Sequence, residues 1–156
     1  MFQGPDFTIR PLTAADEPLL WEILHQGVRS MESDITSVEL MRRPEYARHV
    51  QQWGRLGDTG FVAHDKEEGK PLGACWLRMI EPREDVNTEL AFAVRQGHRR
   101  RGIGAALLTQ LVKANPERSA ILISAPPTNP AVRLYERFGF KVVGQTANSV
   151  TMRREA

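Results

Sequence analysis

Hydrophobic and polar positions recur along the chain with the periods of strands and helices, and Gly and Pro separate the segments. The alternating residues 7–12 predict a first strand. The next apolar positions fall on one face of a helix over residues 14–28, with acidic residues near its start. Residues 30–37 are typical of a loop, and residues 36–52 predict a second helix that is interrupted or begins near Pro44. The stripe of the first helix consists of Leu20, Ile23, Leu24 and Val28.

Strand patterns dominate the middle of the chain. The apolar runs 61–64 and 71–80 flank a turn that is rich in charge and glycine, so they predict two strands. Nearly all of residues 89–94 are apolar, which is typical of a central strand that is covered on both faces. Helical spacing resumes over residues 103–114 and stops at Pro116.

The last part of the chain predicts a strand, a helix and a hairpin. Residues 120–125 form another apolar strand pattern. An Asn-Pro pair at 129–130 combines a helix cap with the favoured first-turn proline, and Gly139 is the expected terminator of that helix. Residues 140–144 and 148–154 then predict a final hairpin.

This order of elements predicts an α/β (α+β) fold in which a mixed sheet has helices on both faces. The 156 residues contain no repeat and no long linker, so a single domain over residues 1–156 is expected. A composition of 41% hydrophobic and 26% charged residues is that of an ordinary globular protein. The chain has one cysteine, no apolar run long enough to span a membrane and no signal-peptide pattern. A cytoplasmic location without a membrane partner is therefore expected.

The segment VRQGHRRRGIGAALL, residues 94–108, concentrates four arginines before a predicted helix. The net charge is only +2, whereas nucleic-acid-binding proteins usually carry a broader basic face. No Ser, Thr, Asp or Asn is available to cap the helix, and Gly102 and Gly104 allow a ligand to approach the backbone. Because a helix N-terminus favours anions, these features indicate a diphosphate site. The simpler alternative is a turn built by the glycines with solvated arginines around it.

Two known phosphate-binding patterns do not fit this segment. It lacks the Gly-Lys-Ser/Thr of a P-loop and the third glycine of a dinucleotide-binding fingerprint. Instead, R-R-R-G-I-G (99–104) resembles the Q/R-x-x-G-x-G/A signature of the GNAT superfamily of N-acetyltransferases, and it follows an apolar strand as in that family. NPAVRLYERFGF (129–140) resembles a second motif of the family, and TIRPLTAADEPLL resembles its opening strand and helix. The two motifs span about residues 87–143 in the expected order.

The resemblance implies a single-domain fold whose mostly antiparallel sheet of about seven strands splays between the fourth strand and the fifth. Acetyl-coenzyme A would lie in this cleft as the cosubstrate, with no metal involved. The implied diphosphate-binding residues are Arg99, Arg100, Arg101, Gly102, Ile103, Gly104 and Ala105. The implied pantetheine-binding residues are Phe92, Ala93, Val94 and Asn129.

Amine attack on a thioester requires a neutral amine, a stabilised oxyanion and a protonated leaving thiol. Tyr135 matches the tyrosine that serves as general acid in the family, and the alternative is that it packs as a core aromatic beside Leu134 and Phe138. Glu89 is the candidate general base because it opens the strand that leads into the cofactor site. A solvated strand-end glutamate is the alternative, and His64 is a lesser candidate. Cys75 is expected to be buried, which favours direct transfer in a ternary complex.

The resemblance implies that the acceptor is a small-molecule or peptide amine, bound near the first two helices, the loop between them and the final hairpin. The candidate residues there are Arg29, Met31 and Glu32. A non-catalytic acyl-coenzyme A sensor is the alternative function, and nucleic acid is not expected as a partner. Homodimers are common among similar enzymes, so the resemblance leaves a homodimer open.

Overall fold

The structure, a computed structural model, describes residues 7–29, 33–79, 88–95, 102–115, 121–125, 131–147 and 149–154. The strands formed by these residues are β1 (Phe7–Pro11), β2 (Thr59–Asp65), β3 (Pro71–Met79), β4 (Thr88–Val94), β5 (Ile121–Ala125), β6 (Lys141–Gln145) and β7 (Val150–Arg154). The helices are α1 (Glu17–Arg29), α2 (Ser37–Arg42), α3 (Pro44–Val50), α4 (Ile103–Ala114) and α5 (Ala131–Arg137), with a 3-10 turn at Ala14–Asp16.

The interruption predicted near Pro44 separates two helices, α2 and α3. Thr36 caps α2: its hydroxyl accepts from the Glu39 amide over 3.1 Å, and the Glu39 carboxylate accepts from the Thr36 amide over 3.3 Å. Pro44 occupies the first turn of α3, where its missing N–H is not required. The chain therefore changes direction at Arg43, and α3 is a separate element.

The described strands follow the order β1-β2-β3-β4-β5-β7-β6. β1 to β4 pair with one another in antiparallel ladders. β5 pairs with β7, and β7 with β6, also in antiparallel ladders. These two parts meet where β4 runs parallel to β5, in a ladder of two residue pairs, Thr88 with Ile121 and Glu89 with Leu122. The mixed, mostly antiparallel arrangement expected from the sequence is confirmed.

Each face of the antiparallel part carries a hydrophobic cluster, because successive side chains of β3 point to opposite faces. Cys75 and Leu77 belong to the cluster under α4 and α5, whereas Ala74 and Trp76 belong to the cluster under α1 to α3. The predicted apolar stripe of α1 is buried throughout. Helices on both faces, as predicted, therefore leave the middle of β3 without a solvated side.

No helix within the described residues has the length and apolar character needed to cross a membrane.

Candidate active site

The short contact between β4 and β5 creates an unpaired strand edge. Both strands continue past Glu89 and Leu122, but no further pair joins their described residues. The Arg95 amide donates to the Leu72 carbonyl of β3 over 2.7 Å, which sets the direction of the β4 backbone. Because backbone groups alternate between the two edges of a strand, the amides of Phe92 and Val94 point toward β5. These two amides are available to a ligand that enters between the strands.

The first turn of α4 presents backbone amides without a capping side chain. Gly102 precedes the helix in the left-handed conformation, with φ at +78°, and no side chain accepts from the turn. A Cβ at Gly102 would meet no atom within 4 Å, so the space at this position is open. This geometry agrees with the anion site expected from the sequence.

Gly104 brings this turn against β4 and α5. A Cβ at Gly104 would lie 2.8 Å from Cζ of Phe92 and 3.1 Å from Cδ2 of Leu134. A larger residue would therefore require the side chains of Phe92 and Leu134, or α4 itself, to shift. Glycine at this position keeps the uncapped amides next to the edge of β4.

Tyr135 lies on α5, with 2% of its surface exposed. Its ring meets Phe92 edge to face at 5.8 Å between centroids and packs against Phe140 at 5.9 Å. Burial raises the pKa of the phenol well above its ordinary value, and nearby Cys75 adds to the effect. The hydroxyl therefore stays protonated at neutral pH, as a proton donor requires.

Glu89 stands at the last position of the β4–β5 ladder. Its Oε1 lies 3.1 Å from Nη2 of Arg48 on α3, and its side chain is 15% exposed. Alternation along β4 puts Glu89 on the same face as Ala91, and Phe92 on the face of Tyr135. The two candidate catalytic side chains thus lie on opposite faces of β4, beside the opening between the strands.

A buried ion pair holds the end of α3 that carries Arg48. The guanidinium of Arg78 donates to both carboxylate oxygens of Asp58, over 3.0 and 2.7 Å. Its Nη1 also donates to the carbonyls of Arg48, over 3.2 Å, and Gln51, over 2.6 Å. Sequence reasoning missed this pair, although a charged residue in the apolar run 71–80 was a usable signal.

His49 follows Arg48 and is held in its neutral form. Burial, with smaller contributions from the charges of Arg48 and Arg78, lowers its pKa to about 4. Its Nδ1 is buried and has no hydrogen-bond partner among the described residues, while its carbonyl accepts from Nε1 of Trp76 over 2.9 Å. Protonation of His49 would place a third cation in this cluster.

Some residues that the sequence analysis singled out form contacts elsewhere in the fold. His64 lies on β2, with Nε2 3.2 Å from Nε of Arg10 and Nδ1 2.9 Å from the Gly69 carbonyl. Cys75 is buried as expected, and burial raises the pKa of its thiol well above the ordinary value. Arg95 belongs to the basic segment, but its Nε donates to the Pro71 carbonyl over 3.1 Å.

Two of the three acceptor candidates and residues 96–101 of the basic segment lie outside the described residues. Arg29 ends α1 and is exposed. The candidates outside the described residues are Met31, Glu32, Arg99, Arg100, Arg101 and Asn129. Their roles remain predictions. Within the described part of the chain, no group of three His, Cys, Asp or Glu side chains is arranged to hold a metal ion.

Comparison with known proteins points to one family. Residues 25–140 match the sequence model of the acetyltransferase (GNAT) family. The chain is 27% identical over 142 residues to phosphinothricin N-acetyltransferase from Streptomyces viridochromogenes, covering 87% of this chain and 75% of that protein.

Solved structures show the same fold. A GCN5-related N-acetyltransferase from Kribbella flavida superposes with a TM-score of 0.69 at 22% identity, over 97% of this chain and 98% of that one. The PaiA N-acetyltransferase from Thermoplasma acidophilum, solved in complex with coenzyme A, gives 0.69 at 17% identity, over 96% and 99% of the two chains.

Proposed function

This chain belongs to the GNAT family of acetyltransferases and is an N-acetyltransferase, and we propose that it moves an acetyl group from acetyl-coenzyme A to a primary amine in a ternary complex. One domain carries both the binding and the chemistry. The observation that supports this most is a juxtaposition: the uncapped first turn of α4 lies beside the β4 edge that β5 leaves unpaired.

The residues present fit coenzyme A. The amides from Gly102 to Ala105 hold the diphosphate, because they are uncapped and Gly102 leaves the approach open. The arginines at 99–101 add positive charge at the same end of the helix. The β5-facing amides of Phe92 and Val94 pair with the pantetheine arm, with Ala93 between them, and the resemblance of the second motif assigns Asn129 to the same arm. The opening between β4 and β5 thereby serves as the cofactor cleft.

The cosubstrate supplies the acetyl group as a thioester, and the residues of this chain manage charge and protons. Glu89 accepts the proton of the attacking amine, through a water molecule, as the new C–N bond forms. An amide of Phe92 or Val94 donates to the carbonyl oxygen as negative charge develops on it. Tyr135 gives its proton to sulfur as the C–S bond breaks. The opening between the strands lets one substrate reach Glu89 and Tyr135 on the two faces of β4.

Burial of Cys75 supports direct transfer over an acetyl-cysteine route. Its Sγ lies in the core, 3.4 Å from the Leu107 carbonyl, and its raised thiol pKa disfavours the thiolate that a nucleophile requires. The amine itself therefore attacks the thioester.

A panel of amines incubated with acetyl-coenzyme A, with release of free thiol as the readout, tests the activity. Phosphinothricin heads the panel because the Streptomyces relative carries its name. Amino acids, polyamines, aminoglycosides and peptides complete it, and Arg29, Met31 and Glu32 are the residues expected to select among them. Thermal stabilisation tests the cofactor separately: a ligand at 100 times its dissociation constant adds about 2.7 kcal/mol. Absence of stabilisation by any coenzyme A species would overturn the proposal.

The sequence also left open a non-catalytic acyl-coenzyme A sensor, and membership of the acetyltransferase family argues against it. Such a protein would gain stability from coenzyme A yet release no thiol with any amine. Nucleic acid binding is less favoured, since the Arg95 guanidinium is engaged by the Pro71 carbonyl and Glu22. A salt-sensitive mobility shift with DNA or RNA would support it.

A further inference from the structure

An open cleft of about 690 Å³ runs along the exposed side of α5, beyond the groups described above. Arg133, Leu134, Glu136 and Arg137 line it. Leu134 is also one of the two side chains that approach the start of α4 at Gly104, the other being Phe92. The cleft therefore begins next to the uncapped amides that hold the diphosphate in the proposed function.

The two arginines of this cleft carry exposed charges one helical turn apart. Arg133 and Arg137 stand at i and i+4, where like charges destabilise a helix. Neither forms an ion pair or a side-chain hydrogen bond with a described residue, although Glu136 lies between them in the sequence. Two adjacent guanidiniums that form no ion pair with a described residue match a phosphate, whose oxygens accept the paired N–H donors of arginine.

We propose that Arg133 and Arg137 bind the 3′-phosphate of coenzyme A and make the protein select this cofactor over its 3′-dephospho form. The inference rests on the proposed function, because it requires the diphosphate at the first turn of α4. A phosphate monoester on the ribose lies one sugar away from the diphosphate. The contact of Leu134 with Gly104 brings the arginine-lined cleft to that side of α4.

Binding of coenzyme A and 3′-dephospho-coenzyme A to the full chain, measured by calorimetry, tests the proposal. The two ligands share the diphosphate and the pantetheine arm, so their affinity ratio isolates the 3′-phosphate. We expect the wild-type protein to prefer coenzyme A by roughly 10-fold or more, as charge-assisted hydrogen bonds imply. In the Arg133→Gln/Arg137→Gln variant the ratio should approach one through weaker binding of coenzyme A alone. Each single variant should fall between these limits.

The chain offers matched controls. Lys66 and Lys70 are exposed in the β2–β3 turn, so Lys66→Gln/Lys70→Gln removes the same charge at a distance and should leave the ratio unchanged. Glu136→Gln removes a negative charge from the cleft and should raise the ratio. In the acetyl-transfer assay, the double arginine variant should raise KM for acetyl-coenzyme A and leave kcat within about 2-fold.

The outcomes separate this inference from the proposed function. Equal affinity of the wild-type protein for the two ligands would overturn the 3′-phosphate site and leave the acetyltransferase proposal intact. An equal fall of the ratio in the lysine control would also overturn it, because the effect would then be one of overall charge. Failure of both ligands to bind would overturn the proposed function together with this inference.

Discussion

The guanidinium of Arg48 lies 3.1 Å from the carboxylate of Glu89, so the candidate base on β4 is paired with a cation from α3. Arg48 is half-exposed while Glu89 is largely covered. The Arg78 guanidinium holds the Arg48 carbonyl from inside the fold. The buried ion pair of Arg78 with Asp58 thus helps to hold Arg48, the residue of α3 that is paired with Glu89.

Replacing Glu89 by Gln should abolish most of the acetyl transfer, because the amide cannot accept the amine proton. We expect kcat/KM to fall by roughly 10²- to 10⁴-fold, with affinity for coenzyme A unchanged. Glu45→Gln is the matched control, since Glu45 is exposed in the first turn of α3. Full activity of the Glu89 variant would move the general base to another residue.

Replacing Arg48 by Met should lower kcat/KM, because it removes the cation that lies 3.1 Å from the Glu89 carboxylate. Arg48→Lys should restore most of the activity because it restores the charge. Equal losses of activity in both variants would assign Arg48 a structural role only.

Tyr135→Phe should separate chemistry from packing. The variant keeps the ring contacts with Phe92 and Phe140 and loses only the hydroxyl. We expect kcat to fall by roughly 10²-fold or more, with little change in the melting temperature or in coenzyme A binding. Tyr46→Phe changes the other tyrosine in the chain and should stay close to wild type. Unaltered thiol release by the Tyr135 variant would support the sensor alternative or another acid.

Two glycines in the same backbone conformation offer a controlled test of the anion site. Gly102 and Gly69 have φ at +78° and +72°, and a Cβ at either would meet no atom within 4 Å. Gly102→Ala and Gly69→Ala should each lower the free energy of unfolding by about 1–2 kcal/mol, the strain of a left-handed alanine. Only Gly102→Ala should also weaken stabilisation by coenzyme A. Equal ligand responses of the two variants would argue against a diphosphate at α4.

Stability should fall as the pH drops from about 6.5 to about 4, because His49 has an ordinary pKa of 6.5 when unfolded and about 4 when folded. In this window the unfolded chain binds more protons than the folded chain, so the free energy of unfolding falls by about 3 kcal/mol. Protonation of Asp16 lowers the stability further at lower pH, since Arg10 lowers the pKa of its carboxyl group to about 2. Urea unfolding of His49→Phe should show a flatter pH dependence over this window. An unchanged dependence would assign the loss to other groups.

The sequence predicted the elements well because their apolar periods are regular. The stripe of α1 and the stripe of α4 both fall on core faces, and Gly102 lies directly before α4 as expected. The predicted strands differ from the observed ones by one or two residues at their ends, as for the strand over 61–64, which extends to Thr59–Asp65. At these positions the local propensity of the residues and their burial favour the same element, so the element can be predicted without knowing which distant residues are in contact.

The features of the candidate site fall into two groups, those that the sequence predicted and those that only the tertiary structure decided. Two sequence motifs by themselves indicated the family, a candidate anion site at the start of α4 and the choice of Tyr135, because those signals are local in the chain. The place of Glu89 at the start of a predicted strand, also a local signal, made it the candidate base. Only the tertiary structure decided the pairing of Glu89 with Arg48, since 41 residues separate them and α3 must pack across the sheet. It also decided that β4 loses its ladder to β5 after two residue pairs. Pairing between distant residues depends on how whole elements pack, and no period along the chain encodes it.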